Sequence, residues 1–327
     1  MASDTNKKLL IFYVYNMLKE YSDENHPLMQ KEIASLIYQH YGMECDRKTI
    51  SANIDYLLNL NYDVQKVANK GHFLGERELE ESQITYLIDS IFSSKNITSG
   101  QAQELSKKLY SFLSVYKRKK YNFIVKSSSV SRTNNKELFY TIDIISEAIE
   151  KNKKIKFNYI RSNLDENDSR YISKYVNPYL MVNNKGTYYL ICGYNKKGVA
   201  NYKIDKIKDI KICEEDILPI TQVQGFDKGI DISKYINENI YMFGGQSVSA
   251  TLLIDSQYTV SYVEEWFDDN TRIYKKDNKI YADIVANETA LIYWCLQYGE
   301  GVELVSPSTT REKIKQAVTR IYNRYQS

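Results

Sequence analysis

Residues 176–207 read VNPYLMVNNKGTYYLICGYNKKGVANYKIDKI, and this stretch decides the fold of the middle of the chain. Apolar and polar residues alternate with the two-residue period of half-buried strands. Gly186 and Gly198 fall where the alternation breaks, so short strands separated by turns are expected. Tyr188 and Leu190 are alternate residues of one strand, a spacing that places both on its core-facing side. Lys203 and Lys206 stand at the end of the last strand. Upstream, KIKFNYI (154–160) supplies a further strand, and a helix over roughly residues 136–152 leads into it.

Towards the N-terminus, Leu10, Val14, Met17, Leu18 and Tyr21 recur at helical spacing, and Pro27 ends that segment. A second helix, about 30–40, buries Ile33, Ala34 and Ile37, and Gly42 closes it. Asp46 reads as the N-cap of a third helix, with Ile50, Ile54, Leu57 and Leu58 inward and Arg47, Lys48, Ser51, Asn53 and Tyr56 outward. Two extended runs, VQKVA and HFL, follow around Asn69-Lys70-Gly71, the expected hairpin tip. Three helices and a hairpin form the order of a winged helix-turn-helix, here residues 1–77. Such units enter the major groove with the N-terminus of the third helix. Arg47 and Lys48 are then candidates for phosphate or guanine, Ser51 and Asn53 for base edges, and Lys66, Lys70 and His72 for the wing.

Residues 78–121 read as two helices, the second opened by a capping box at Thr98–Gln101. The run KRKK at 117–120 is expected to be a solvated helix end, favoured there by the helix dipole, and 126–135 a linker. After a crossover at 217–245, the C-terminal segment alternates types. SATLLID is a strand, QYTVSYVEEWF a helix, TRIYKK and KIYADIVA strands around Asp277-Asn278, ETALIYWCLQYG a helix, VELVSP a strand and REKIKQAVTRIYNRY a helix.

The proline-led strand, the Tyr188-Tyr189-Leu190 triplet and Tyr-Lys-Ile-Asp-Lys-Ile at 202–207 together resemble the WYL domain. Its usual motif is Trp-Tyr-Leu followed by Phe-Arg-Leu-Asp-Arg-Ile. Tyr188 stands in the tryptophan position, Lys203 and Lys206 replace arginines, and Ala200 stands where another arginine is usual. The resemblance implies an Sm-like β-barrel over 136–216, a ligand-sensing module that in bacteria usually sits behind a DNA-binding domain. The family's proposed ligand positions fall on Tyr159, Ser162, Lys174, Lys203 and Lys206, with Tyr188 beside them. Lysine attracts phosphate as a point charge without arginine's planar fork. The third helix is similar to that of WYL-type regulators in its x-Thr-Ile pattern, which adds Thr49 to the DNA-facing set. Residues 246–327, with Ser306, Pro307 and Arg311, resemble the ferredoxin-like extension called WCX. The expected fold class is therefore multidomain α+β: winged helix-turn-helix, helical linker and dimerisation region (78–135), barrel, crossover and small α/β domain.

The composition narrows the function further. At 327 residues the chain has room for two or three domains. A net charge of +3 gives no global pull on nucleic acid, so any footprint must be local. The 30 tyrosines accompany abundant Lys, Asn and Ile, as A/T-rich codon usage produces. Four scattered cysteines and three histidines offer no metal-ligand spacing, and no cofactor is expected. No apolar run of membrane-spanning length occurs and MASDTNKKLL is not read as a signal peptide, so a cytoplasmic location is expected. Without a phosphate loop, nucleophile elbow or paired carboxylates, catalysis is not expected. The reading is a homodimeric transcriptional regulator, repression the favoured mode, that binds double-stranded operator DNA and senses a single-stranded nucleic acid or nucleotide. Control of a phage-defence locus fits it. The alternative is an RNA-binding or effector-modulating accessory protein of a CRISPR or other defence system.

Overall fold

A computed structural model describes residues 4–121, 132–161, 170–267 and 271–326, with eleven α-helices and eleven strands in three sheets among them. The chain divides into two units, Met1–Asn134 and Asn135–Ser327.

In the first unit, α1 (Asp4–Tyr21), α2 (Gln30–Tyr41) and α3 (Arg47–Asn59) bury Leu10, Val14, Met17, Leu18, Ile33, Ile37, Ile50, Ile54 and Leu57 in one core. Asp46 caps α3, its Oδ1 accepting the Thr49 N–H at 2.8 Å. Leu58, expected inward, is 45% exposed, because the stripe of α3 runs through Ile50, Asn53, Ile54 and Leu57 instead. The hairpin of β1 (Val64–Val67) and β2 (Gly71–Leu74) follows. Its tip is Ala68-Asn69-Lys70, and Asn69 takes the left-handed conformation, φ 61°. Leu28 and His72 exchange backbone hydrogen bonds at 2.8 Å, adding the α1–α2 connection to the hairpin as a third short strand. Gly71 faces that junction at φ 117°, where a Cβ would lie 2.2 Å from the Leu28 carbonyl.

The connecting region holds three helices rather than two: α4 (Glu81–Ser93), α5 (Ser99–Tyr110) and α6 (Val115–Tyr121). Thr98 and Gln101 form the reciprocal cap expected for α5. The basic run at 117–120 belongs to α6, and two of its members are engaged. Lys117 pairs with Glu24 at 3.1 Å and Glu81 at 3.5 Å. Arg118 donates to the carbonyls of Tyr110 and Leu113 and reaches Glu20 at 3.2 Å. The expected solvated end is therefore in part a set of ties back to α1 and the loop after it. Beneath them Asp23 is buried, accepting from Ser114 Oγ at 2.6 Å and paired with His26 at 2.7 Å.

The second unit begins with α7 (Leu138–Glu150), packed on β3 (Lys153–Ile160), β4 (Tyr171–Asn184) and β7 (Ile207–Asp216). With β5 (Thr187–Gly193) and β6 (Val199–Lys203) these form a five-stranded antiparallel sheet in the order β6-β5-β4-β3-β7. β4 serves two partners in turn: residues 171–176 pair with β3, and residues 177–184 with β5. Then α8 (Ile232–Glu238) covers Val182 and Ile191 through Tyr235. The C-terminal sheet has the order β11-β8-β10-β9, from β8 (Ser247–Ile254), β9 (Arg272–Lys276), β10 (Lys279–Asn287) and β11 (Val302–Ser306). Helices α9 (Gln257–Trp266) and α10 (Glu288–Gln297) supply its core with Val260, Val263, Leu291 and Trp294, and α11 (Ser308–Arg324) ends the described chain. Asp277 and Asn278, both at positive φ, make the tight β9–β10 turn their sequence demands.

Burial opposes the charge on Asp23, but hydrogen bonds from Ser114, His26 and the Asn25 N–H hold its carboxyl below the usual carboxylate range. A folded-state value below the unfolded one contributes stability that is present at neutral pH and lost as pH falls through the folded value. Ser114→Ala should therefore cost about 1.5–3 kcal/mol at pH 7, as expected for a hydrogen bond to a buried charge. Urea unfolding at neutral and acidic pH measures it; the penalty should shrink as Asp23 protonates.

Candidate functional site

The five-stranded sheet gathers one polar-aromatic cluster. Tyr159 on β3, Lys174 on the first half of β4, Tyr202 on β6 and Tyr194 just beyond β5 come together although 43 residues of sequence separate the outermost pair. The Lys174 ammonium lies 5.7 Å from the Tyr194 ring centre and 5.6 Å from that of Tyr202, an arrangement favourable for a cation. The two phenol oxygens touch each other. Tyr202 meets the rings of Tyr159 edge-on at 4.7 Å and Phe157 at 5.6 Å. The Tyr159 hydroxyl accepts the Lys203 N–H at 3.4 Å, tying the motif's last strand to its first.

Burial pushes the Tyr159 phenol up to about 12, and burial with the Tyr194 hydrogen bond raises Tyr202 as well. Both remain neutral and able to donate, which suits binding of an anion rather than nucleophilic work. Lys203 is exposed and Lys206 half-buried, on either side of Asp205 in a one-turn 3₁₀ helix. Burial raises the Asp205 carboxyl, the two lysines oppose that shift, and its Oδ1 has no hydrogen-bond partner among the described residues. Asp205 thus adds a partly buried carboxylate between the two lysines, whose charges favour its ionised form.

Of the residues expected from sequence, Tyr159 and Lys174 both meet the Tyr202 ring, the Lys203 N–H reaches the Tyr159 hydroxyl, and Lys206 follows at the end of the 3₁₀ turn. Ser162 lies outside the described residues. Tyr188 is half-buried, on the strand face shared by the fully buried Leu190. Tyr194, Tyr202 and Asp205 were missed. The two-residue spacing of Tyr202 from Ala200 on β6 carried the signal for one of them.

On the first unit, Arg47, Lys48, Thr49, Ser51 and Tyr56 of α3 are exposed, as are Lys66 and Lys70 on the hairpin. Two residues expected on this face are not there. Asn53 is only 9% exposed and donates its side-chain N–H to the Thr49 carbonyl at 2.8 Å, so it faces the core side of α3. His72 is equally buried, its Nδ1 without a hydrogen-bond partner among the described residues; burial and then Lys66 lower its affinity for a proton. The third strand at Leu28 covers what hairpin alternation alone leaves open.

At the far end of β4 from Lys174, the β4–β5 turn carries Lys185, whose ammonium sits 3.1 Å from the Trp266 ring centre on α9. Trp266 donates its indole N–H to the Tyr298 hydroxyl at 3.1 Å. No helix among the described residues is long and apolar enough to cross a membrane.

Comparison with known proteins bears on the same region. No curated protein matches the chain. Among solved structures, proteasome accessory factor B/C (PafBC) of Arthrobacter aurescens is similar at 14% identity and a TM-score of 0.29. The match covers 98% of this chain and 49% of that one, so the chain spans about half its length. A crystal structure of a CRISPR Cas-related protein is similar at 16% identity and a TM-score of 0.37, over 100% of this chain and 88% of the other. Residues 140–212 match the WYL domain, so the polar-aromatic cluster on the five-stranded sheet is that of a WYL domain.

Proposed function

We propose that the chain is a ligand-responsive transcriptional regulator that works as a homodimer on double-stranded operator DNA. The observation that carries this reading is the exposed start of α3, Arg47, Lys48 and Ser51, in a unit followed by a WYL domain. In this reading α1–α3 with β1 and β2 are a winged helix-turn-helix, α3 its recognition helix and Lys66 and Lys70 its wing. The five-stranded sheet is an Sm-like barrel, and β8 to α11 form a ferredoxin-like extension in keeping with the order β11-β8-β10-β9. Phosphate contacts supply most of the affinity and base contacts the discrimination. The ligand, a single-stranded nucleic acid or nucleotide, meets Lys174, Lys203 and Lys206 with the neutral phenols of Tyr159 and Tyr202, and binds one arrangement of the dimer more tightly than the other.

Selecting bound fragments from genomic DNA, including the gene's own promoter region, tests the core of this reading; preference for RNA over every duplex would overturn it. On the selected operator, Arg47→Ala should lose about 1–3 kcal/mol and relax specificity at one base pair. Asn53→Ala should instead lower the unfolding midpoint and leave specificity intact, since its amide bonds within α3. Lys203→Ala with Lys206→Ala should leave ligand-free operator affinity unchanged yet remove the ligand response, as read by fluorescence anisotropy with and without effector.

A further inference from the structure

Helices α9 and α10 cover one face of the C-terminal sheet. The other face carries side chains of a different kind. Opposed residues on neighbouring strands share a face, and the pairings align Glu303 with Leu253, Leu253 with Tyr281, and Tyr281 with Tyr274. Tyr281 lies on β10, an interior strand flanked by β8 and β9. The Tyr274 and Tyr281 rings lie 5.7 Å apart and within 19° of parallel, and both are only partly buried. The Arg272 guanidinium stands 5.2 Å from the Tyr274 ring centre. Two residues further along the same face, Lys276 and Lys279 oppose each other across the hairpin, both exposed.

The segment TRIYKKDNKIY (271–281) thus holds Arg272, Lys275, Lys276 and Lys279 against the single carboxylate of Asp277. The acids elsewhere in the row have partners: Glu303 is paired with Arg311, and Asp283 accepts from Thr251 Oγ1 at 2.8 Å. The row borders a cleft of about 570 Å³ lined by Gln257, Asn278 and Lys279 as well as Asp255 and Glu300, polar groups that can meet base edges.

From this geometry we infer that the open face of the C-terminal sheet is a second binding platform, for single-stranded nucleic acid. Four-stranded sheets that bind single strands stack bases on aromatic side chains of adjacent strands, while flanking cations follow the backbone. Tyr281 and Tyr274 supply two such rings on neighbouring strands, and Arg272, Lys276 and Lys279 supply the cations. The platform is independent of the WYL cluster and of α3, and it is sequence-tolerant because every base has a ring face.

The test uses the full chain carrying Lys203→Ala and Lys206→Ala, so that binding at the WYL cluster is not scored. A short fluorescein-labelled oligothymidylate is titrated by anisotropy. Tyr274→Ala with Tyr281→Ala should weaken binding roughly tenfold or more, and the matching Phe pair should stay within about twofold, because stacking needs the ring and not the hydroxyl. Lys276→Ala with Lys279→Ala, at the exposed hairpin end, should flatten the salt dependence by roughly 1.4 units. Oligomers bearing 5-iodouracil should photocrosslink to peptides containing Tyr274 or Tyr281. Absence of binding, full affinity in the Ala pair, or crosslinks confined to α3 would overturn the inference. A change in sedimentation of the Ala pair without nucleic acid would overturn it too, assigning the face to a second copy of the chain. Failure of operator binding with these results intact would count against the regulator reading alone.

Discussion

The second unit depends on the change of partner at Asn177-Pro178. Before this point β4 pairs with β3; after it, with β5. Proline has no N–H to give either neighbour, so the ladder is weakest where the exchange must happen. Asn177 holds the junction from within. Its side chain, 2% exposed, donates to the Gly193 carbonyl at 2.8 Å and accepts the Leu218 N–H at 3.0 Å. A register shift after Pro178 adds the bend. Tyr159 and Lys174 come from one half of this folded-over sheet, Tyr194 and Tyr202 from the other, and only the bend lets them meet.

That origin explains the chemistry of the cluster. The Lys174 ammonium is met by the ring faces of Tyr194 and Tyr202. The carboxylate that is present, Asp205, sits with Lys203 and Lys206 on the short turn beside the cluster. The site is therefore divided into a charge resting on aromatic faces and a pair of charges flanking a carboxylate.

The element order was legible in the sequence, from the helix caps at Asp46 and Thr98 to the turn at Asp277-Asn278, because these features are local and written in residue type. Misreadings arose where tertiary structure overrode type. Asn53 was read outward for its polarity, yet with Ile50, Ile54 and Leu57 it completes the i, i+3, i+4, i+7 stripe that spacing alone assigns to the interior. Lys117 and Arg118 looked solvated because their acids, Glu24, Glu81 and Glu20, are remote in sequence. The Tyr194–Tyr202–Lys174 association escaped for the same reason: strand pattern gives the side of a sheet a residue faces, not which strands curl towards one another.

The cation–π contact between Lys185 and Trp266 gives β4 a mechanical character. One continuous strand carries Lys174 near its start and leads at its end into the turn that bears Lys185, seated on a ring of α9. Between them stands the clamped corner at Asn177. In engineering terms this is a bracket with a braced corner: the short arm ends among the tyrosines, the long arm on the C-terminal module. The far half of β4 stays laddered to β5 up to Asn184, so the turn and its lysine belong to that hairpin, and the Trp266 ring is where the hairpin meets α9.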